Sequence, residues 1–252
     1  VETDVRRATW VLRPADDCLV LGQRLGAQVS RGPDLEEDIA IANLAIDLIG
    51  QARALYTHAG ALEGAGRDED ALAMERDERD FTNVLLVEQP DVDFAHTILR
   101  QLLFAAFQAP FYDTLARSSD HTLAGIAQKG VKEARYHLSH SSNWAVRLGD
   151  GTEESHRRMT EALAARWRFT DDLFEADDLD RELAAEGFAV DPSTLRPAWE
   201  HLLEPVFDAA GLTPPDDAGS RTGGRQGFHT EHLGHLLPDL QWLHRSHPGA
   251  EW

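Results

Sequence analysis

The chain has 252 residues, with 24 Lys and Arg against 44 Asp and Glu, so its formal net charge is -20. That excludes nucleic acid as a default partner, because neutralising a phosphate backbone takes clustered cations. With 42% hydrophobic and 27% charged residues the chain lies inside the range that folds and buries a core. Cys18 is the lone cysteine, so neither an intrachain disulfide nor a thiolate metal cluster can form, and a reducing setting is expected. The longest stretch free of Asp, Glu, Lys and Arg runs from Gln101 to Tyr112. It is well short of the roughly 20 residues that span a bilayer. The N-terminus is charged where a signal peptide needs an apolar run, and the absence of an initiator Met leaves room for residues ahead of Val1.

Apolar residues recur at helical spacing almost everywhere and alternate at period two nowhere, which predicts an all-α chain. A first helix is expected over Asp17–Val29, ending at Gly32-Pro33. Asp34 followed by Glu37 reads as a capping box, opening a long helix to about Leu62. Gly64-Ala-Gly66 is a turn, and a helix from Asp70 is expected to carry the acidic run 75–80. The apolar cluster 84–87 ends at Gln89-Pro90. Phe94–Ala116 is a strongly apolar helix, with an interruption or kink expected at Pro110. Helices follow at 120–148, 152–175 and 178–186, then at 191–210 and, after a loop over 211–227, at 229–244. No repeat or long linker divides the chain, so a single helical domain over 1–252 is expected. Its four-helix bundle would be built from 34–62, 92–118, 120–148 and 152–175, with the remaining helices peripheral.

Within the apolar 34–62 helix, Asn43, Asp47 and Gln51 stack on one face at four-residue spacing. A carboxylate in such a place must be hydrogen-bonded, paired or metal-bound. It is either a metal ligand or its remnant, or part of a polar stripe facing a partner or solvent. The 120–148 helix adds Lys129, Lys132, Glu133, Tyr136, His137 and His140. A di-iron carboxylate site in a bundle needs one Glu from each of two helices and a Glu-x-x-His pair from each of the other two. Glu133 has Tyr136 at the third position and His137 only at the fourth, and no acid lies between Phe94 and Tyr112. Ala105 and Gln108 stand where a degenerate acid and His would be sought. The lone Glu-x-x-His, Glu153 to His156, sits at a helix start. The ligand quartet is absent, and Lys132 or Lys129 could instead supply the positive charge facing Asp47 and Glu133.

An acid-free, glycine-rich segment runs from Ala218 to Thr230. Its Arg221, Gly223, Gly224, Arg225 and His229 form a candidate anion or partner contact at a helix entry, with no nucleotide P-loop signature. Helix entry and packing is the structural alternative. His229, His232 and His235 share a spacing of three but lack the carboxylate partner a zinc site would need. No nucleophile motif is present.

Residues 17–25, 42–53, 76–90, 132–138, 167–170, 221–224 and 229–234 occur as an ordered set of blocks. They include Ala-Asn-Leu-Ala-Ile-Asp-Leu-Ile-Gly-Gln-Ala-Arg, Lys-Glu-Ala-Arg-Tyr-His-Leu and His-Thr-Glu-His-Leu-Gly. The chain thereby resembles the C subunits of ring-1,2-phenylacetyl-CoA epoxidases over essentially its whole length. The resemblance implies a ferritin-like bundle and a bacterial cytoplasmic complex. In it a catalytic di-iron A subunit epoxidises the aromatic ring with O2 and electrons from a reductase. This chain would hold no cofactor of its own, pair with the A subunit, hold that subunit's site in shape, and support assembly with a small B subunit. Two rival readings stay open: an autonomous di-iron oxidase with atypical ligands at Asp47, Glu133 and His137, and an accessory component meeting coenzyme A through residues 221–225.

Overall fold

The computed structural model describes residues 2–216 and 218–250, which form ten α-helices and, among the described residues, no strand. They are α1 (Glu2–Gly26), α2 (Leu35–Glu63), α3 (Glu69–Met74), α4 (Leu85–Glu88), α5 (Phe94–Leu115), α6 (His121–Gly149), α7 (Glu153–Trp167), α8 (Asp178–Ala185), α9 (Arg196–Ala210) and α10 (Glu231–Ser246). Helix starts follow local chemistry. Asp34, Asp93 and Asp120 each accept a hydrogen bond from the amide three residues on, satisfying a donor that has no partner within the helix. α2 stops where Gly64 turns left-handed at φ 68°, a conformation glycine adopts without a Cβ clash.

Four helices, α1, α2, α5 and α6, make the bundle. Pairs such as Asp16 with Tyr56 and Cys18 with Gln51 make α1 and α2 antiparallel. Phe94 with Trp144 and Asp113 with Arg135 do the same for α5 and α6. Gln51 with Glu133 and Asp47 with His137 set α2 against α6, and Trp10 with Phe111 sets α1 against α5. The helices therefore run up, down, down, up, and one long crossover, residues 64–93, joins α2 to α5, as in ferritin-like folds. The crossover is pinned by a buried network: Asp16 accepts from Tyr56, Arg76 and Thr82, and Asp17 accepts from the Val84 amide.

This corrects the expected bundle, which omitted α1 and included the 152–175 helix. α1 starts at Glu2 rather than Asp17 because its polar N-terminal half is not solvent-facing chain. Arg6, Arg7 and Arg13 pair with Glu182, Glu186, Asp177 and Asp180, clamping α8 and its cap onto α1. α7 ends at Trp167 and flanks the bundle, followed by a single 3-10 turn at Asp171–Phe174. α5 is not interrupted at Pro110; the proline lies within the helix, and the Thr114 hydroxyl donates to its carbonyl at 2.9 Å. The acidic run 75–80 lies beyond the end of α3 and closes in a capped 3-10 turn at Glu78–Asp80.

Candidate functional site

At the bundle centre all four helices contribute to one hydrogen-bonded cluster. Gln51 Oε1 accepts from the Tyr112 hydroxyl at 2.9 Å, from Gln108 Nε2 at 3.0 Å and from the Cys18 thiol at 3.4 Å. Gln51 Nε2 donates to Glu133 Oε2 at 2.8 Å. Burial pushes the Cys18 thiol and the Tyr112 hydroxyl well up, so both stay protonated and serve as donors. Tyr112 reaches this position because Gly130 has no side chain: a Cβ there would lie 2.8 Å from the ring. Glu133 is the cluster's carboxylate, and Lys129 meets it at 3.2 Å from the exposed side.

One turn further along, the fully buried His137 faces Asp47 at 3.2 Å. Burial pulls the imidazole down against the pull of Asp47, and its Nδ1 has no partner. His140 meets Glu37 at 2.9 Å, so the Glu37 side chain is engaged across helices rather than closing the expected capping box. Of the sequence-predicted cluster, Gln51, Glu133, Asp47 and His137 come together. Asn43 and Lys132 do not: both side chains are exposed. Neither lysine compensates Asp47, since Lys129 is engaged with Glu133 and Lys132 forms no ion pair among the described residues. Gln108 is where a degenerate acid was sought; Ala105 is plain core. Cys18 is not visible as a site residue in the sequence, because nothing local assigns α1 to the bundle, and Tyr112 reads as one more large residue of the apolar α5.

This donor set does not fit a di-iron centre. Carboxamides occupy positions 51 and 108, a protonated thiol stands on α1, and no group of three or more His, Cys, Asp or Glu side chains is arranged to hold a metal among the described residues. Carboxamides are poor replacements for bridging carboxylates because they carry no charge to offset the cations.

The glycine-rich segment is an anion cradle whose anion is the protein's own. Asp172 Oδ1 accepts from the Gly223 and Gly224 amides at 2.8 and 3.3 Å, and its Oδ2 from the Leu85 amide at 2.7 Å. Gly224 is obligatory, since a Cβ would sit 2.3 Å from the Asn83 carbonyl. Arg225 is buried and grips Asp17 through both terminal nitrogens, at 3.1 and 2.8 Å. His229 and Glu88 form a buried pair at 2.9 Å. The expectation that Gly223, Gly224, Arg225 and His229 contact an external anion is therefore corrected: each is spent on an internal partner, and only Arg221 remains outward. His235 is exposed and away from His229, and His156 caps the Gly149 carbonyl at 2.7 Å.

A further feature is an apolar face. On α2, Leu35, Ile39, Ile46 and Ile49 are 70%, 53%, 65% and 38% exposed, at spacings near 3.5 residues, and Tyr136 on the adjoining α6 is 52% exposed. By length and composition α2 is also the one described helix long and apolar enough to cross a membrane, with 44% of the relevant window buried. Asp47 and the acidic first turn break the apolar run, which hides this property in the sequence. Large apolar side chains exposed together on one helix face mark an interaction surface.

Residues 2–252 match the phenylacetic acid catabolic protein family. The chain belongs to that family. It is 49% identical over 243 residues to the C subunit of 1,2-phenylacetyl-CoA epoxidase from Escherichia coli (strain K12), an alignment covering 96% of this chain and 98% of the relative. The resemblance in the sequence blocks is thereby upheld. The family's helical, ferritin-like architecture agrees with the up-down-down-up bundle described above.

Proposed function

We propose that this chain is the non-catalytic, structural component of a cytoplasmic 1,2-phenylacetyl-CoA epoxidase assembly, acting in phenylacetate catabolism. It pairs with a homologous subunit that carries the di-iron centre. The observation that carries this reading is the bundle centre. Where a di-iron protein converges carboxylates and imidazoles, Gln51, Gln108, Tyr112 and Cys18 close a neutral hydrogen-bond network around a single carboxylate. The protein has kept the bundle and replaced the charge. The exposed stripe of α2, with Tyr136 of α6, supports pairing, because burying it against another bundle removes apolar area at about 25 cal/mol per Å2. The small B subunit and the reductase belong to the same proposed assembly.

The test is metal content and activity of the chain purified alone and with its catalytic partner, after growth in iron-replete medium without chelators. The expected outcome is substoichiometric iron and no epoxidation by this chain alone, with iron and activity following the partner. About two irons per isolated chain, bound stably through gel filtration, would overturn the reading and favour the atypical di-iron oxidase.

A further inference from the structure

Away from the bundle centre a cleft of about 790 Å3 opens between residues 220–222, Phe169 and the start of α10. Arg221 and His232 line it, with Leu85, Gln89 and Phe228, and Glu231 is the acid at its lip. Neither the Arg221 guanidinium nor the His232 imidazole has a hydrogen bond or ion pair with another described side chain.

Behind the cleft lies a cluster of three arginines, two of which donate to carbonyls rather than to carboxylates. Arg24 donates to the carbonyls of Glu88 and His232 at 3.0 and 2.8 Å. Buried Arg166 donates to the Pro90 carbonyl, and its Nε has no partner. Arg100 alone of the three meets a carboxylate, Asp91 at 2.5 Å. Nearby acids are engaged elsewhere: Glu88 with His229, and Asp93 with His96. Burial, with Arg100 and Arg24 close by, pulls Arg166 down to about 10. Burial and Arg24 likewise pull His232 down. In a chain of net charge -20, three guanidiniums gathered behind one cleft are a local concentration of cations, with Asp91, Asp93 and Glu88 beside them.

We propose that the cleft binds a phosphorylated small molecule, with Arg221 and His232 contacting the phosphate and Arg24 and Arg166 supplying the attractive field. Guanidinium matches phosphate oxygens in a bidentate geometry that carbonyl partners leave unused. The volume lies in the range of small-ligand sites, whereas the acidic remainder of the surface repels an extended polyanion. Of residues 221–225 only Arg221 takes part, since Arg225 and the glycine amides are committed internally, and His232 joins it from α10. It stands apart from the scaffold reading, which its failure would leave intact.

The probes are inorganic pyrophosphate, ADP and coenzyme A, titrated calorimetrically into the full chain at constant ionic strength. Saturable binding of pyrophosphate is expected, weakened at least tenfold in Arg221→Ala and unchanged in Arg117→Ala, which alters an exposed residue outside the cleft. Binding of ADP or coenzyme A at least tenfold tighter than pyrophosphate identifies a nucleotide handle as the source of the phosphate; equal affinities identify the phosphate group alone. No saturable binding of any of the three, or binding by Arg221→Ala equal to that of the unaltered chain, would overturn the proposal. Arg221 is exposed, so its loss leaves the fold intact.

Discussion

Gln51 and Glu133 face each other across the α2–α6 seam, with the amide nitrogen of one donating to the carboxylate of the other at 2.8 Å. A carboxylate at position 51 could not do this while ionised. Gln51→Glu therefore sets two negative groups against each other. The donors from Tyr112 and Gln108 remain, so the new charge is held by neutral groups alone. Removing a hydrogen bond to a charged group and adding like-charge repulsion should cost about 2–4 kcal/mol. Urea denaturation at neutral pH checks this. The deficit should shrink as pH falls, because a protonated Glu at 51 can donate to Glu133 again.

Gly130 sets the position of Tyr112. Gly130→Ala places a methyl group 2.8 Å from the phenol ring, and relief requires moving the ring or separating α5 from α6. Overpacking of this kind costs about 1–3 kcal/mol, outweighing the better helix propensity of alanine, worth about 1 kcal/mol. A lower thermal midpoint is expected. In the second variant Tyr112→Phe, which keeps the ring but drops its hydroxyl, a further Gly130→Ala change should cost less than in the parent, because the hydrogen bond to Gln51 is already gone.

Two buried histidines pull stability in opposite directions with pH. For His229, burial opposes the charge, but the ion pair with Glu88 overrides it and raises the folded value above 6.5. Its contribution is full below about pH 6.5 and is lost as pH rises through the folded value. His137 is lowered, chiefly by burial. Its contribution is full above about pH 6.5 and is lost as pH falls through the lowered folded value. His229→Gln should flatten the alkaline side of the stability curve and His137→Gln the acid side, as read by urea midpoints across neutral pH.

Ile46 is exposed in the middle of the α2 stripe. Ile46→Glu should leave the stability of the isolated chain within about 0.5 kcal/mol. It should also abolish co-purification with the catalytic partner, read by gel filtration of the coexpressed pair. An unchanged complex would move the interface elsewhere.

Arg225→Met leaves Asp17 buried without its partner. The expected loss is about 3–5 kcal/mol, with partial recovery when Asp17→Asn is added, because a neutral buried amide needs no counter-ion. Soluble yield and urea midpoints of the single and double variants check the pairing.

Much of this is legible in the residues. Helix periodicity and aspartate caps set α2, α5 and α6 to within a few residues, and the four-residue spacing of Asp47 and Gln51 places both on the face that meets α6. α1 is obscured because its arginines read as solvent-facing until α8 is seen folding back over them. With α1 cut short and left outside the expected bundle, Cys18 is not set beside Gln51, and the network there is only half visible. The cationic loop is recognisable as an anion holder, but its anion, Asp172, lies about fifty residues earlier in the sequence. No local pattern links the two.

Asp17 meets Arg225, and Arg24 reaches the carbonyl of His232. The four bundle helices are complete once residue 149 has left the ribosome, yet the carboxylate of Asp17 must wait for the last tenth or so of the chain to neutralise it. The N-terminal hairpin is therefore synthesised early and sealed late, and until residue 225 is made Asp17 has the Val84 amide but no cation to answer its charge.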